Sequence, residues 1–215
     1  PLTSIRMLTE TIRSGRIEDE EERDTCVAII DQESQRLSKL IDQILEYSRI
    51  ERHQKEFKFT SCDMESVVSE AVRLFHEHTR HDPREVEIIS AQRISKIKMD
   101  QAAMVEVFLN LLSNAAKYSD RGSKITIHLT ESLDEISVEV IDHGMGIRKR
   151  DQKRIFDKFY RADDFLTREV EGSGLGLTFA RYVAKVHNGE IKVSSQVNAG
   201  SVFTVQIRKT DVLAE

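Results

Sequence analysis

The sequence predicts an α+β fold in which a helical hairpin is followed by an α/β sandwich. In residues 1–53 the apolar residues recur every three or four positions, which is the period of a helix with one apolar face. After residue 54, short runs rich in β-branched residues alternate with three longer helical stretches. We therefore expect two domains, a hairpin over residues 1–53 and a sandwich over residues 54–215.

The hairpin is predicted from two apolar stripes and the break between them. The first stripe is Leu2, Ile5, Leu8 and Ile12, and Ser14-Gly15 follows it. Acidic residues over 18–22 favour the positive end of a helix dipole, so we expect a second helix to begin there. Its stripe contains Val27, Ile30, Leu37, Ile41 and Ile44.

Two helices cannot bury both of these stripes by themselves. Pairing with a second hairpin into a four-helix bundle would bury them, so we expect a homodimer formed through residues 1–53. The alternative is that the stripes pack against the rest of the same chain.

Seven strands and three helices are expected in the sandwich. The strands are predicted at 57–60, 86–90, 96–99, 124–130, 136–141, 190–195 and 201–207, and the helices near 63–78, 100–117 and 175–187. Strands with helices set on one face are typical of an α/β sandwich. Asp63 and Asp100 stand directly before two of the helical stretches, where a carboxylate caps exposed amides.

Composition and charge exclude several classes of protein. A net charge of -5 argues against a surface that binds nucleic acid, which normally needs a basic face. Cys26 and Cys62 form no C-x-x-C pair, so neither a zinc site nor a disulfide framework is predicted, and a reducing, cytoplasmic location fits. No apolar run approaches the roughly 20 residues that span a bilayer. We expect no membrane segment in this chain, although a membrane-anchored parent protein is compatible with it.

The first candidate functional motif lies on the helix that follows Asp100. Asn110, Asn114, Lys117 and Tyr118 are spaced so that they share one face of that helix. An amide oxygen can ligate Mg²⁺, a lysine can contact phosphate, and a tyrosine ring can flank a base. The alternative is a helix with a polar face toward solvent.

The second motif, Asp142-His-Gly144-Met-Gly146-Ile147, directly follows a predicted strand. Two glycines let the backbone bend sharply and approach a ligand, while a carboxylate can accept a hydrogen bond from an exocyclic amine. An ordinary turn is the alternative explanation.

The third motif, Gly172-Ser-Gly174-Leu-Gly176-Leu177, leads into the last predicted helix. Backbone amides at a helix N-terminus are suited to binding phosphate. The motif is neither a P-loop nor a dinucleotide-binding fingerprint, because the required spacings are absent.

The fourth motif lies between the second and the third and contains the aromatic residues Phe156, Phe159 and Tyr160, followed by Arg161. A charged stretch poor in apolar residues comes next. We expect the aromatic residues to form a hinge beneath a mobile lid over 162–174. The alternative is the end of an amphipathic helix.

In chain order these motifs resemble the N, G1, F and G2 boxes of the histidine kinase ATP-binding domain, which has the histidine kinase/gyrase type of fold. Gly200-Ser-Val-Phe203-Thr is similar to the last strand of that domain. Pro1-Leu-Thr-Ser-Ile-Arg resembles the tail of the family's H box, H-[ED]-x-R-T-P-L-T. The resemblance covers essentially the whole chain and implies a bacterial sensor histidine kinase of a two-component system.

The resemblance also implies a reaction and a role for each site residue. The γ-phosphate of ATP would pass to a histidine and then to an aspartate on the receiver domain of a response regulator. Asn114 would ligate Mg²⁺, with Asn110 close to the phosphates. Lys117 would contact phosphate, Tyr118 would form a wall for the adenine, and Asp142 would bind the adenine amine.

The glycine-rich motifs and the aromatic residues take the remaining roles that the resemblance implies. Gly144 and Gly146 would shape the floor of the ATP site, beside Ile147. Six consecutive residues would hold the triphosphate through their amides: Gly172, Ser173, Gly174, Leu175, Gly176 and Leu177. Phe156 and Phe159 would anchor the lid, and Tyr160 and Arg161 would lead into it.

The same resemblance places the phosphoacceptor histidine five positions before the proline of the H box, and therefore upstream of Pro1. None of the seven histidines at 53, 76, 78, 81, 128, 143 and 187 has a comparable context, so each is expected to be structural or on the surface. We expect the 215-residue chain alone to be unable to autophosphorylate.

Two competing functions are compatible with parts of the pattern. An ATPase of the gyrase, mismatch-repair or heat-shock chaperone type would need a glutamate four residues before the Mg²⁺ asparagine, where Asn110 stands, and Glu106 is too far along the helix. A non-catalytic dimeric scaffold that binds nucleotide without transferring phosphate is the second alternative.

Overall fold

A computed structural model describes residues 2–17, 19–51, 56–79, 84–90, 93–162 and 173–209 of the chain. The chain divides into two compact units, Pro1–Lys55 and Glu56–Glu215. No helix among the described residues combines the length and the apolar character needed to cross a bilayer.

The first unit contains the helical hairpin that the sequence predicts. Helix α1 spans Leu2–Arg13 and helix α2 spans Glu20–Glu51. Gly15 ends the first helix with a positive φ of 66°, a backbone conformation that glycine adopts without steric strain. The second helix begins with three glutamates in its first turn, where the helix dipole favours negative charge.

Only part of the apolar surface of this hairpin is covered within one chain. Ile5, Leu8 and Ile12 on α1 are half-buried, as are Ile30 and Leu37 on α2. Large apolar side chains that are exposed also occur on both helices: Leu2, Met7, Val27, Ile29, Ile41 and Leu45. The hairpin therefore has an uncovered apolar surface in addition to the one between its two helices.

The second unit is an α/β sandwich. Strand β1 (Thr60–Cys62) is followed by helix α3 (Met64–His78), strands β2 (Val86–Ser90) and β3 (Ile97–Met99), and helix α4 (Gln101–Lys117). Strands β4 (Ile125–Glu131) and β5 (Glu135–Asp142), helix α5 (Gly176–Val186), and strands β6 (Gly189–Gln196) and β7 (Gly200–Arg208) complete it. A 3₁₀ turn spans Arg154–Phe156.

Five of these strands form one sheet in the order β2-β4-β5-β7-β6. Strands β2 and β4 pair in parallel, and the other neighbours pair antiparallel. Burial alternates along β4 and β5, so one face of the sheet covers the core. Strands β1 and β3 form a separate two-stranded ladder.

Helices α3 and α5 both pack against α4, and α4 and α5 contact the sheet. Helix α4 contacts α3, α5, β4 and β5, and therefore lies at the centre of the layer. Its core side chains are among the most buried in the described part of the chain: Met104, Val107, Phe108, Leu111 and Leu112. Asp63 and Asp100 cap α3 and α4 as predicted, by accepting hydrogen bonds from the amides of Glu65 and Ala103.

One strand prediction was wrong in position. The run 57–60 was expected to be a strand, but β1 begins only at Thr60. The ring of Phe59 instead lies 4.8 Å from that of His187, and the ring of Phe57 lies 6.0 Å from it. Aromatic contacts with the end of α5 therefore replace backbone pairing in residues 57–59.

Candidate nucleotide-binding site

The end of helix α4 and the loop after strand β5 are joined backbone to backbone. The Met145 amide donates a hydrogen bond of 3.0 Å to the Tyr118 carbonyl oxygen. A Cβ at Gly144 would lie 2.1 Å from the same oxygen. Only glycine fits there without displacing backbone, so the second motif is a structural partner of the first.

Asp142 ends strand β5 and is buried, with 5% of its surface exposed. Its Oδ1 atom accepts hydrogen bonds from the amides of Gly144 at 2.9 Å and Ser201 at 3.2 Å. Burial raises the pKa of this carboxyl group, and the two amides partly oppose that rise. Both hydrogen bonds fix the orientation of the carboxylate at the start of the loop that follows β5.

The loop that follows is fixed by strand β6. Gly146 has a φ of 68°, and a Cβ there would lie 2.0 Å from the Gln196 carbonyl oxygen. The Ile147 amide donates to Ser195 Oγ at 2.8 Å. Gln152 Nε2 donates to the carbonyl oxygens of both Ile147 and Ser195. The floor residues predicted from the sequence therefore occupy a rigid turn.

Helix α5 begins beside helix α4. A Cβ at Gly176 would lie 2.7 Å from Asn110 Oδ1, so the third motif approaches the first closely. Asn110 Nδ2 donates to the Glu106 carbonyl oxygen one turn earlier, at 3.0 Å, which fixes the orientation of the amide. Asn114 is half-buried one turn later, and Lys117 is exposed at the end of the helix.

The two aromatic residues that were predicted to anchor a lid differ in burial. Phe156 is 6% exposed, and its carbonyl oxygen accepts from Thr178 Oγ1 on α5 at 3.1 Å. Phe159 is 62% exposed, and its backbone makes the contact instead, because its amide donates to the Gly174 carbonyl oxygen at 3.2 Å. The Phe156 ring is therefore packed in the interior, whereas Phe159 is held by its main chain, and their role as lid anchors stays a prediction.

The Tyr118 hydroxyl interacts electrostatically with Arg161, two residues after Phe159. Burial raises the pKa of the Tyr118 hydroxyl, and the positive charge of Arg161 partly opposes this. Arg161 therefore lies within electrostatic reach of the residue predicted to flank the adenine. Ser173, Leu175 and Leu177 lie at or before the first turn of α5. Gly172 and most of the predicted lid over 162–174 lie outside the described residues.

Several residues with a part in this site were not identified from the sequence. Ser201 and Ser195 hold Asp142 and Ile147. Arg84 is buried and donates to the carbonyl oxygens of Asp120 at 2.8 Å and Ser119 at 3.2 Å, directly after Tyr118. The Gly200-Ser pair that opens the last strand was a usable signal for Ser201. A lone arginine before a strand gives no such signal.

The arrangement fits a nucleotide with a divalent cation. In the described part of the chain, Ser119 Oγ is a buried hydroxyl with no hydrogen-bond partner, and it lies 2.8 Å from where a Cβ of Gly144 would be. The glycines at 144 and 176 let the second and third motifs pack directly against Tyr118 and Asn110 on helix α4, where a Cβ would clash. Asparagine oxygens are neutral ligands suited to a Mg²⁺ ion that also binds phosphate oxygens.

Comparison with known protein families gave two matches. Residues 99–211 match the family described as histidine kinase-, DNA gyrase B-, and HSP90-like ATPase. Residues 1–53 match the His Kinase A (phospho-acceptor) domain. The sequence resemblance to histidine kinases is thereby confirmed.

The chain is also similar to individual proteins. The sensor-like histidine kinase SenX3 of Mycolicibacterium smegmatis is 36% identical over 180 residues, which are 81% of this chain and 45% of SenX3. The chain spans about half the length of the curated SenX3 relatives that it matches.

Two solved structures share the fold. The Acinetobacter baumannii histidine kinase AdeS has a TM-score of 0.78 at 21% identity, over 98% of this chain and 96% of AdeS. Histidine kinase ThkA, in a complex with the response regulator protein TrrA, has a TM-score of 0.75 at 24% identity, over 96% of this chain and 58% of ThkA. The α+β prediction is confirmed, and the chain belongs to the sensor histidine kinases, with their phospho-acceptor and ATP-binding domains.

Proposed function

We propose that the whole protein is an ATP-dependent protein histidine kinase of a two-component system. It transfers the γ-phosphate of ATP to a histidine and then to an aspartate of a response regulator. The observation that carries this proposal is the convergence of three motifs on helix α4. Tyr118 contacts the loop after Asp142, and Asn110 contacts Gly176 at the start of α5.

Asp142 and Tyr118 form the adenine end of the proposed site. The Asp142 carboxylate is held by two backbone amides and accepts a hydrogen bond from the exocyclic amine of adenine. Gly144 and Gly146 let the loop pack against the backbone of Tyr118 and Gln196, which holds Ile147 beside the base. Tyr118 covers one side of the base.

The phosphate end of the proposed site combines helix α4 with the start of α5. The amides of residues 172–177 bind the triphosphate because a helix N-terminus presents unpaired N–H groups and a positive dipole. Lys117 and Arg161 add positive charge, and Asn110 contacts the nearby phosphates. Asn114 ligates Mg²⁺, which neutralises phosphate charge when it is bound. The protein's own contribution to catalysis is therefore positioning and electrostatic stabilisation.

We assign the dimerisation and phosphoacceptor role to residues 1–53 and the catalytic role to residues 54–215. The exposed apolar residues of the hairpin, among them Val27, Ile41 and Leu45, support a homodimer in which a second hairpin covers them. We place the catalytic core in the cytoplasm, where ATP is available. Its partner is the receiver domain of a response regulator, and the complex of ThkA with TrrA is a precedent in a protein of the same fold.

Phosphate labelling tests this function. A form of the protein that includes the predicted upstream phosphoacceptor histidine is incubated with γ-labelled ATP and then with a receiver domain. We expect label that is lost in acid and stable in base, as for a phosphohistidine, followed by its transfer to the receiver. Asp142→Asn should strongly reduce labelling, whereas Glu139→Gln, the same type of change on the same strand, should not. Acid-stable label on the kinase would contradict the proposal. So would the absence of label from both the kinase and the receiver domain.

A further inference from the structure

A buried carboxylate outside the nucleotide motifs lies in the chain between strand β5 and helix α5. Asp151 is 3% exposed and follows the loop that begins at Asp142. Burying a carboxylate is unfavourable unless hydrogen bonds or opposite charges compensate it. The partners of Asp151 therefore indicate what this part of the fold is built to fix.

Two strong hydrogen bonds occupy the two oxygens of Asp151. Tyr160 donates its hydroxyl to Oδ1 at 2.7 Å, and Arg148 Nε donates to Oδ2 at 2.9 Å. The hydrogen bond from Tyr160 is the largest of the effects that hold the pKa of Asp151 below its usual range. Asp151 is thus ionised at neutral pH, and its bond with Tyr160 is charge-assisted.

The ring of Tyr160 is held as well as its hydroxyl. The guanidinium carbon of Arg154 lies 4.2 Å from the ring centroid, within the range of a cation–π interaction. The Tyr160 amide also donates to the Asp157 carbonyl oxygen at 3.2 Å. Tyr160 is therefore fixed through its backbone, its ring and its hydroxyl.

Phe159 and the backbone of Tyr160 contact the glycine-rich motif directly. Phe159 has a φ of 59°, which is unusual for a residue with a side chain, and its amide donates to the Gly174 carbonyl oxygen. A Cβ at Gly174 would lie 2.9 Å from the Phe159 Cα and 3.2 Å from the Tyr160 carbonyl oxygen. Gly174 precedes the start of α5 by two residues. A displacement of Tyr160 would thus move the amides assigned to phosphate binding.

We propose that Asp151 is a positioning residue for nucleotide phosphates, which acts by fixing Tyr160 and through it the contact between Phe159 and Gly174. Asp151 itself touches neither nucleotide nor metal. This inference rests on the proposed assignment of the α5 N-terminus to phosphate. It extends that assignment to a side chain that the nucleotide motifs do not include.

The test compares two ligands that differ only in phosphate. ADP with Mg²⁺ and adenosine are titrated into the wild type, Tyr160→Phe and Asp151→Asn, with calorimetry for ADP and NMR chemical shifts for adenosine. Tyr160→Phe removes one hydroxyl and keeps the ring over which Arg154 lies. We expect each substitution to weaken ADP binding about 3- to 10-fold and to leave adenosine binding unchanged. This loss corresponds to part of the energy of one charge-assisted hydrogen bond. The double variant should bind ADP no more weakly than the more impaired of the two single variants, because both changes act on the same hydrogen bond.

Tyr182→Phe is the matched control. It also removes a tyrosine hydroxyl, but from α5 and outside the contacts that link Asp151, Tyr160, Phe159 and Gly174. It should bind both ligands as the wild type does. Unchanged ADP binding in Tyr160→Phe and Asp151→Asn would overturn the inference while leaving the proposed function intact. An equal loss of adenosine and ADP would also overturn it, since the effect would then be on the whole site. Failure of the wild type to bind ADP would overturn the proposed function and this inference together.

Discussion

At the scale of single residues, the site depends on its glycines as much as on its polar side chains. We predict that Gly144→Ala weakens ADP binding at least about tenfold and lowers the free energy of unfolding by about 1–3 kcal/mol, as other overpacking substitutions do. The added Cβ would lie 2.1 Å from the Tyr118 carbonyl oxygen and would push the loop after Asp142 away from Tyr118. Calorimetry and urea unfolding measure the two effects.

Gly122→Ala is the control for this substitution. Gly122 has no atom within 4 Å of a Cβ position, but its φ is 81°. It should lose about 1 kcal/mol of stability from backbone strain and retain full ADP affinity. If Gly144→Ala bound ADP as tightly as this control, the close contact with Tyr118 would have no part in binding.

Candidate site residues could be predicted from the sequence when they belonged to a motif. Asp142, Asn110 and Gly144 became candidates because their residue types and spacing carry a chemical meaning, and the structure brings their motifs together. Asp151 and Arg84 were not identified, because the sequence around them is rich in charged residues that would ordinarily face solvent. Their importance comes from burial, and burial depends on contacts between residues that are distant in sequence.

At the scale of secondary structure elements, His187 joins the end of helix α5 to the start of helix α4. It is 3% exposed, its Nδ1 is 2.8 Å from the Val183 carbonyl oxygen, and its Nε2 is 2.9 Å from the Asp100 amide. An amide is a donor, so Nε2 must be unprotonated and Nδ1 must carry the hydrogen. The side chain therefore fits this position only as the neutral tautomer.

This geometry predicts a loss of stability in mild acid. Burial lowers the pKa of His187, although the charge of Asp100 opposes this, so the folded protein binds a proton less readily than the unfolded chain with its ordinary value of 6.5. The stabilisation from His187 is fully present above pH 6.5 and is lost as pH falls through the folded pKa.

Urea unfolding of the wild type and His187→Gln at pH 7.5 and pH 5.5 checks this prediction. At the higher pH the wild type should be more stable by about 1–3 kcal/mol, from buried hydrogen bonds, and the difference should shrink at the lower pH. A difference that stays constant would mean that His187 does not carry the effect.

Most elements were predictable from apolar periodicity because each buries one face. Strand β5 alternates buried and half-buried residues over its whole length, and α4 begins at a side-chain cap, Asp100. The strand prediction was wrong for residues 57–59 because phenylalanine, at 57 and 59, is a residue type that favours strands. Their actual contacts are with Tyr182 and His187 on and after α5, which no local pattern specifies.

At the scale of the whole molecule, the order of the motifs predicted the family, which the comparisons confirmed. The oligomeric state is a prediction that follows from the hairpin. Ile41 on α2 is 48% exposed in the single chain. We expect Ile41→Glu to weaken dimerisation about 100-fold or more, because a symmetric dimer carries the lost apolar burial twice.

Sedimentation equilibrium measures this effect over a range of concentrations. Gln32→Glu adds the same charge at an exposed position nine residues earlier on α2 and should leave the dimer intact. A wild type that is monomeric at high micromolar concentration, or an Ile41→Glu variant as dimeric as the control, would contradict a dimer formed through this hairpin.

The assignment of Asp142 to adenine and Asn114 to Mg²⁺ is tested most directly by calorimetric titration of ADP with Mg²⁺ and with EDTA. The wild type should bind more tightly with Mg²⁺. Asn114→Ala should lose that difference and keep the weaker, metal-independent affinity, because only the metal ligand is removed. Asp142→Asn should bind at least about tenfold more weakly under both conditions, since the acceptor for the adenine amine has lost its charge. Affinities equal to those of the wild type in both variants, with the Mg²⁺ effect intact, would contradict the assignment of the site.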